Sequence, residues 1–352
     1  GTTTVGRSRG AEWIVRDARL SKSHFEVAGS DQGWTLRDLG STNGTFVNGR
    51  RLGGATALQD QDVVRAGRCL FVFVTDLRPM AVAPEIEPSC HGMVGPFCAG
   101  AIARTIEDAV RTGRHLWLEG ESGVGKELAA RAIHRLVDPK APFLPHNCAA
   151  FASAEEAETT LFGVVRGVFT GVEARTGLVE QAERGVLYLD EVPNLPLRVQ
   201  RSLLRFAEGG EYVRIGDSTR RRSTTRLVFG SNRPAAEAIG EGSLARDLLV
   251  RAHRVEIPPL GRRRGDIPAI FSAVLEEAMG RAGIEAEAWR PLLTADHVEA
   301  VVLRDFRDLN VRLLQDIAAR IAVHLSRSPR GSWPRELSAL LAAQLADSPV
   351  VQ

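Results

Sequence analysis

Three patterns of apolar and polar positions succeed one another along the chain. Over residues 1–76, short runs of β character such as Trp34-Thr35-Leu36, Thr45-Phe46-Val47 and Leu70-Phe71-Val72-Phe73-Val74 are separated by the turn dipeptides Asn43-Gly44 and Asn48-Gly49. This predicts a small β-sandwich. From Arg78 to Pro96 the pattern is broken by Pro79, Pro84, Pro88 and Pro96, which predicts a linker, part of it in extended polyproline geometry. Beyond it, helix-period and all-apolar segments alternate. Leu116-Trp117-Leu118 reads as a buried strand, and Lys126–Leu136 as a helix with Leu128, Ala129, Ala132, Ile133 and Leu136 on one face. Val186–Leu189 and Leu227-Val228-Phe229 read as strands of a parallel sheet covered on both faces. After Pro258-Pro259 the pattern is wholly helical.

Composition narrows the class. The 352 residues, 44% hydrophobic and 25% charged, fit a soluble protein of two or three domains at ~100–200 residues each. A net charge of +2 gives no bulk electrostatic case for nucleic acid, and the runs Arg220-Arg221-Arg222 and Arg262-Arg263-Arg264 read as solvated faces. Cys69, Cys90, Cys98 and Cys148 show neither CxxC nor zinc spacing, the usage of a reduced, cytoplasmic protein. No signal peptide is visible, and no apolar run approaches the ~20 residues of a membrane span.

The segment Gly120-Glu121-Ser122-Gly123-Val124-Gly125-Lys126 follows one predicted strand and opens one predicted helix. In that context glycines let backbone N–H groups close around phosphate oxygens, and the helix N-terminus contributes its positive end. Lys126 is placed to reach the β- and γ-phosphates of ATP. The general pattern has Ser or Thr next, to hold Mg²⁺; here the residue is Glu127. The strand Val186–Leu189 ends in Asp190-Glu191, where Asp190 is placed to hold Mg²⁺ and Glu191 to polarise the attacking water.

In the first segment, Gly6-Arg7, Ser21-Lys22-Ser23-His24 and Asp38-Leu39-Gly40-Ser41-Thr42-Asn43-Gly44-Thr45-Phe46-Val47-Asn48-Gly49 together resemble the forkhead-associated (FHA) domain. The resemblance implies a phosphothreonine site supplied by Arg7, Ser21, Lys22, Thr42 and Asn43, a guanidinium and neutral donors converging from loops. It has Asn43 contact the bound peptide backbone and His24 brace the loops. Gln61 stands where the family usually has Gly before Asp62, in a turn far from the phosphate.

Between the two nucleotide motifs lies Gly167-Val168-Phe169-Thr170-Gly171-Val172. It resembles the Gly-Ala-Phe-Thr-Gly-Ala loop of the sigma-54-interacting AAA+ activators, with valines for both alanines. In that family Glu commonly follows the P-loop Lys, as Glu127 does here. The resemblance implies that Asn147 switches the catalytic Glu, that Ser231 and Asn232 form sensor I, and that Arg312 in Asn310-Val311-Arg312 reaches the nucleotide as sensor II. It further implies that Arg251 acts as a finger on the neighbouring subunit's ATP, and that the Gly167–Val172 loop touches sigma-54. The departures are Ala245 at the first finger arginine (with Arg246 one place along), a stretch two residues short between Arg251 and Pro258, and Leu309 and Leu313 where Gly and Glu are usual. An arginine finger is worth ~10³–10⁵ in rate, so these changes bear on turnover.

The fold expected is therefore multidomain: an all-β FHA sandwich over 1–76, a linker over 77–92, an α/β P-loop AAA+ domain over 93–260, a helical lid over 261–326 and a tail over 327–352. The function expected is ATP-driven remodelling of sigma-54 RNA polymerase by a ring of subunits, with ATP and Mg²⁺ as cofactors. Phosphothreonine, on a partner or on a neighbouring subunit, gates it. The alternative is a phosphopeptide-binding adaptor or scaffold with a degraded ATPase. No helix-turn-helix is evident after Arg312, so this chain offers no basis for DNA binding, and no membrane association is expected.

Overall fold

The alternation over the first segment folds as two β-sheets. One has the strand order Trp13–Ile14, Thr2–Gly6, Phe25–Ser30, Gly33–Asp38, Thr56–Leu58; the other runs Arg50–Arg51, Thr45–Val47, Val63–Ala66, Cys69–Val72. In this computed structural model the described residues are 1–76, 89–90, 92–95, 98–167, 173–307 and 309–346. Every second residue points inward, and Val5, Leu20, Phe25, Leu36, Val47, Leu58, Val64 and Ala66 form the sandwich core. Asn48-Gly49 closes the hairpin in which Val47 pairs Arg50. Both residues take positive φ, 48° and 77°, the two-residue turn that matches strand twist. The predicted linker lies outside the described residues, apart from 89–90 and 92.

The chain divides into two compact units. One joins residues 1–88 with 94–98 and 260–352; the other joins 89–93 with 99–259. The β-sandwich therefore belongs with the C-terminal helices. Among these, Ile267–Arg281, Ala295–Val302, Val311–Arg327 and Trp333–Ala346 surround a core of Phe271, Leu275, Val302, Trp289 and Trp333. The helix Val311–Arg327 buries Leu314, Ile317, Ala318, Ile321, Ala322 and Leu325, the i, i+3, i+4 spacing of a single apolar stripe. Thr294 and His297 make a reciprocal capping box at the start of Ala295–Val302.

The other unit is built on a five-stranded sheet in the order Phe143–Asn147, Val186–Asp190, Arg226–Ser231, His115–Glu119, Ala252–Glu256. All its pairings are parallel. Leu116, Trp117, Leu118, Leu187, Leu189, Leu227, Val228 and Phe229 are fully buried, as both-face coverage requires. The helix Lys126–Val137 follows the first strand and buries Ala129, Ala130, Ala132 and Ile133. Leu128, expected on that face, is instead 49% exposed, and Ala130 takes the buried place. Lys126 also turns inward on that face, 7% exposed. No helix among the described residues is long and apolar enough to cross a membrane.

Candidate nucleotide and phosphate sites

The P-loop runs from the end of strand His115–Glu119 to helix Lys126–Val137. Gly123 and Gly125 take φ of 76° and 107°, a left-handed conformation that side chains disfavour. The Gly120 amide donates to the Ser231 carbonyl at 3.2 Å, tying the loop to the end of strand Arg226–Ser231. A Cβ on Gly120 would lie 2.5 Å from the Ile257 carbonyl oxygen. Lys126 arches back over the loop, and its Nζ donates to the carbonyls of Gly120 at 2.8 Å and Glu121 at 3.1 Å. A nearly buried ammonium is thus held at the rim of a loop whose glycines can present N–H groups to phosphate. Glu127 faces outward and pairs with Arg131 at 2.7 Å, so it offers no hydroxyl in place of the usual Ser or Thr.

Asp190 and Glu191 end the strand Val186–Asp190 beside it. A Cβ on Gly230 of the adjacent strand would come within 2.4 Å of Asp190 Oδ1 and 2.8 Å of the Tyr188 hydroxyl; glycine there makes room for the carboxylate. Burial, then the Asp190 charge, pushes the Tyr188 phenol above its usual range. Burial, reinforced by Asp190 and Glu191, does the same to the Cys148 thiol. Glu191 is in the left-handed region at φ 55°, ψ 42°, uncommon and strained for a non-glycine residue. Its amide donates to Asp190 Oδ1 at 3.0 Å, and Asn194 Nδ2 donates to its Oε2 at 3.1 Å.

Asn147 and Asp190 are paired across adjacent strands, but the Asn147 side chain accepts from the Ala149 amide at 2.8 Å and caps a short turn. The amide that touches Glu191 is Asn194, which the sequence reading missed. A signal was available: Asn194 follows Asp190-Glu191 by one helical turn and a Pro. Ser231 is fully buried, its hydroxyl donating to the Arg233 carbonyl at 2.7 Å, whereas Asn232 is exposed. Arg251 is at the surface in an ion pair with Glu208 at 2.7 Å. Arg312 stands at the start of helix Val311–Arg327, in the unit that holds the sandwich.

Metal ligation can be judged from the donors. Among the described residues no cluster of three or more His, Cys, Asp or Glu could hold a metal. Mg²⁺ in nucleotide sites is held by one or two carboxylates plus phosphates and waters, which is what Asp190 alone offers.

The segment Val168, Phe169, Thr170, Gly171, Val172 lies outside the described residues; its stem does not. Gly163–Val164 pairs antiparallel with Arg175–Thr176. Gly163 and Gly177 pass so close that a Cβ on Gly177 would sit 2.3 Å from the Phe162 carbonyl carbon and 2.4 Å from Gly163 N. Gly167 takes φ 88°. Ile215 bonds the same stem on its other edge, through its amide to Gly163 and its carbonyl to Val165.

The candidate phosphate site in the sandwich is drawn together by backbone bonds. Arg7 N donates to Ser21 O at 3.0 Å, and Thr42 N donates to Ser21 Oγ at 3.1 Å. Asn43 Nδ2 donates to Arg19 O at 2.7 Å. A Cβ on Gly6 would fall 2.1 Å from the Lys22 carbonyl, so only glycine allows that loop to approach. His24, fully buried, accepts the Ser21 amide on Nδ1 at 2.9 Å and lies 3.2 Å from Gly44 O through Nε2. One tautomer, with hydrogen on Nε2, satisfies both. Asp38 braces the next turn, accepting from Ser41 N at 2.8 Å and Thr45 Oγ1 at 2.5 Å. Burial alone raises its pKa, but the Ser41 and Thr45 bonds outweigh this and leave it below 3.8. Arg7, Lys22, Thr42 and Asn43 are exposed and Ser21 half-buried, so the set faces solvent on one loop cluster.

The FHA domain family matches residues 3–67, and the sigma-54 interaction domain family matches residues 98–258. The anaerobic nitric oxide reductase transcription regulator NorR of Aeromonas hydrophila is 36% identical over 261 residues, 72% of this chain and 50% of that protein. The DNA-binding transcriptional regulator NtrC of Escherichia coli K12 is 35% identical over 226 residues, 63% of this chain and 47% of NtrC. The solved structure of NtrX from Brucella abortus in complex with ATP is 28% identical at a TM-score of 0.57, covering 75% of this chain and 55% of that one. The chain thus spans about half the length of the curated relatives it matches. It carries an FHA domain followed by a sigma-54 interaction domain, and the relatives it resembles through the latter are NtrC- and NorR-type regulators.

Proposed function

We propose that this chain is a sigma-54-dependent transcriptional regulator in which ATP hydrolysis, shared between neighbouring subunits of a ring, remodels sigma-54 RNA polymerase, and that phosphothreonine recognition by the FHA domain gates it. The domains proposed are 1–76, 93–260 and 261–326, with a linker at 77–92 and a tail at 327–352. The observation that carries the reading is the convergence of Lys126, held over the Gly120 and Glu121 carbonyls, with the Asp190-Glu191 strand end in one parallel sheet.

The chemistry follows from the residues. Backbone amides of Gly120–Gly125 and the Lys126 ammonium hold phosphate charge. Asp190 supplies the carboxylate for Mg²⁺, which neutralises developing phosphate charge when bound. Glu191 orients and polarises the attacking water, and Asn194 holds its carboxylate in place. Asn147 is proposed as the switch, Ser231 and Asn232 as sensor I, and Arg312 as sensor II. Arg251 acts in trans. Its present partner is an exposed ion pair worth only about 0–1 kcal/mol, so leaving Glu208 for a phosphate costs little. The Gly167–Val172 loop, and within it Phe169 and Thr170, meets sigma-54. Arg7, Ser21, Lys22, Thr42 and Asn43 take the phosphothreonine.

One observation favours a second reading, a phosphopeptide-binding scaffold without turnover: Ala245 occupies the first finger position. Steady-state ATP hydrolysis by wild type and Glu191→Gln separates the two. A motor shows wild-type turnover that the variant loses; equal background rates leave the scaffold. For the polymerase contact, Thr170→Ala is expected to abolish binding to sigma-54, and unaltered binding would remove that assignment.

A further inference from the structure

Val63 and Val64 are consecutive and both buried, yet they serve different cores. Val64 lies in the sandwich, and Val63, 0% exposed, joins the helical cluster around Phe271, Val302 and Leu314. Strand alternation then sends Arg65 to the same outer face as Val63. The Arg65 guanidinium meets Glu299 at 2.6 Å and Asp296 at 2.9 Å, with side-chain exposures of 15% for Arg65 and 6% for Glu299. It also stacks 3.8 Å over the Phe46 ring. Asp296 and Glu299 are three apart on helix Ala295–Val302 and share a face.

A second contact stands close by. Gln61, at the position where the FHA pattern has glycine, keeps a left-handed φ of 66°. Its Oε1 accepts the Arg264 amide at 3.1 Å and its carbonyl accepts Arg264 Nη1 at 3.2 Å. Arg264 sits in the short turn that leads into helix Ile267–Arg281. The far turn thus grips the first residues of the lid, and the backbone strain of a non-glycine there is offset by two bonds.

The phosphate site connects to this face through one short strand. Thr42 and Asn43 lead into Thr45–Val47, whose central residue Phe46 is the cross-strand partner of Arg65. We propose that the FHA domain is docked on the lid through Val63, Arg65 and Gln61, so that a phosphothreonine ligand, by pulling on the Thr45–Val47 strand, changes the hold on the lid and with it nucleotide affinity. The coupling rests on the readings of the two sites given above; the docking does not. Thermodynamic linkage makes it reciprocal: nucleotide must alter phosphopeptide affinity by the same factor.

The full chain is tested as wild type, R65E, E299R and the double charge swap. Each single variant leaves a buried charge uncompensated, and is expected to speed hydrogen exchange in Val63–Ala66 and Ala295–Val302 roughly tenfold or more. It is also expected to shift the Kd for a fluorescent ATP analogue roughly fivefold or more. The double swap is expected to restore both. A degenerate phosphothreonine peptide pool shifts the nucleotide Kd of wild type but not of R65E, and its unphosphorylated twin shifts neither. Exchange in Ala295–Val302 that is the same in R65E and wild type overturns the docking. Unchanged nucleotide affinity in variants of a nucleotide-binding chain overturns the coupling alone. A wild type that binds no nucleotide overturns the coupling together with the P-loop reading, while exchange still decides the docking.

Discussion

Replacing Gly230 by Ala puts one methyl group against the carboxylate that the account assigns to Mg²⁺. The new Cβ would stand 2.4 Å from Asp190 Oδ1, 2.8 Å from the Tyr188 hydroxyl and 3.2 Å from a Tyr188 ring carbon, where ordinary contact begins at 3.4 Å. Asp190 must therefore retreat by 3.4 − 2.4 = 1.0 Å, or the two strands must part. Gly230 has no left-handed φ, so on backbone entropy alone the change would stabilise by about 0.4–1 kcal/mol. Overpacking a filled interior costs about 1–3 kcal/mol, so a net loss of about 1–2 kcal/mol is expected. The catalytic effect is larger, since a misplacement of about 1 Å can cost about 10²-fold in rate. The assay is steady-state ATP hydrolysis beside urea unfolding, with Gly240→Ala as the control, because a Cβ there meets nothing within 4 Å. Wild-type turnover in Gly230→Ala would refute the placement of Asp190 at the reacting phosphates.

Gly177→Ala drives a Cβ into the backbone of Leu161, Phe162 and Gly163; the expected cost is about 3 kcal/mol, with sigma-54 binding lost while nucleotide binding persists. His115 is half-buried, its Nδ1 accepting the Leu227 amide at 3.0 Å. Burial, then Arg226, lowers its pKa from 6.5 to about 4, the bond to Ala207 offsetting part. The unfolded chain therefore binds the proton first, and stability falls as pH drops through the window from 6.5 to about 4. The loss from this residue is up to about 3 kcal/mol. His115→Asn keeps an acceptor for the Leu227 amide and is expected to flatten unfolding free energy across that window; an unflattened profile would exclude the residue as its source.

Much of this was legible because local chemistry carried it. The parallel strands announce themselves as all-apolar runs, and the P-loop as a strand, a glycine-rich turn and a helix. The FHA loops follow from residues whose spacing is set by hairpins. What escaped depends on partners far away in sequence. Arg65 meets Glu299 across 234 residues, and no periodicity distinguishes Val63 from Val64. Leu128 fits the buried stripe by spacing but lies outside it, with Ala130 buried instead. Gln61 looked idle because its neighbours in sequence say nothing of Arg264. Asn194, which donates to Glu191, follows Asp190-Glu191 by one turn and a Pro, a spacing that carries meaning only once the strand end is known to be the site.

The central claim, a hydrolytic site shared between neighbours, is tested most directly by mixing two silent variants. Lys126→Ala removes the phosphate-binding ammonium from one subunit and Arg251→Ala removes the finger from another. Mixed, they form some interfaces with both groups intact, and the account predicts that ATP hydrolysis returns although neither parent hydrolyses. A mixture as silent as its parents, beside an active wild type, would contradict it.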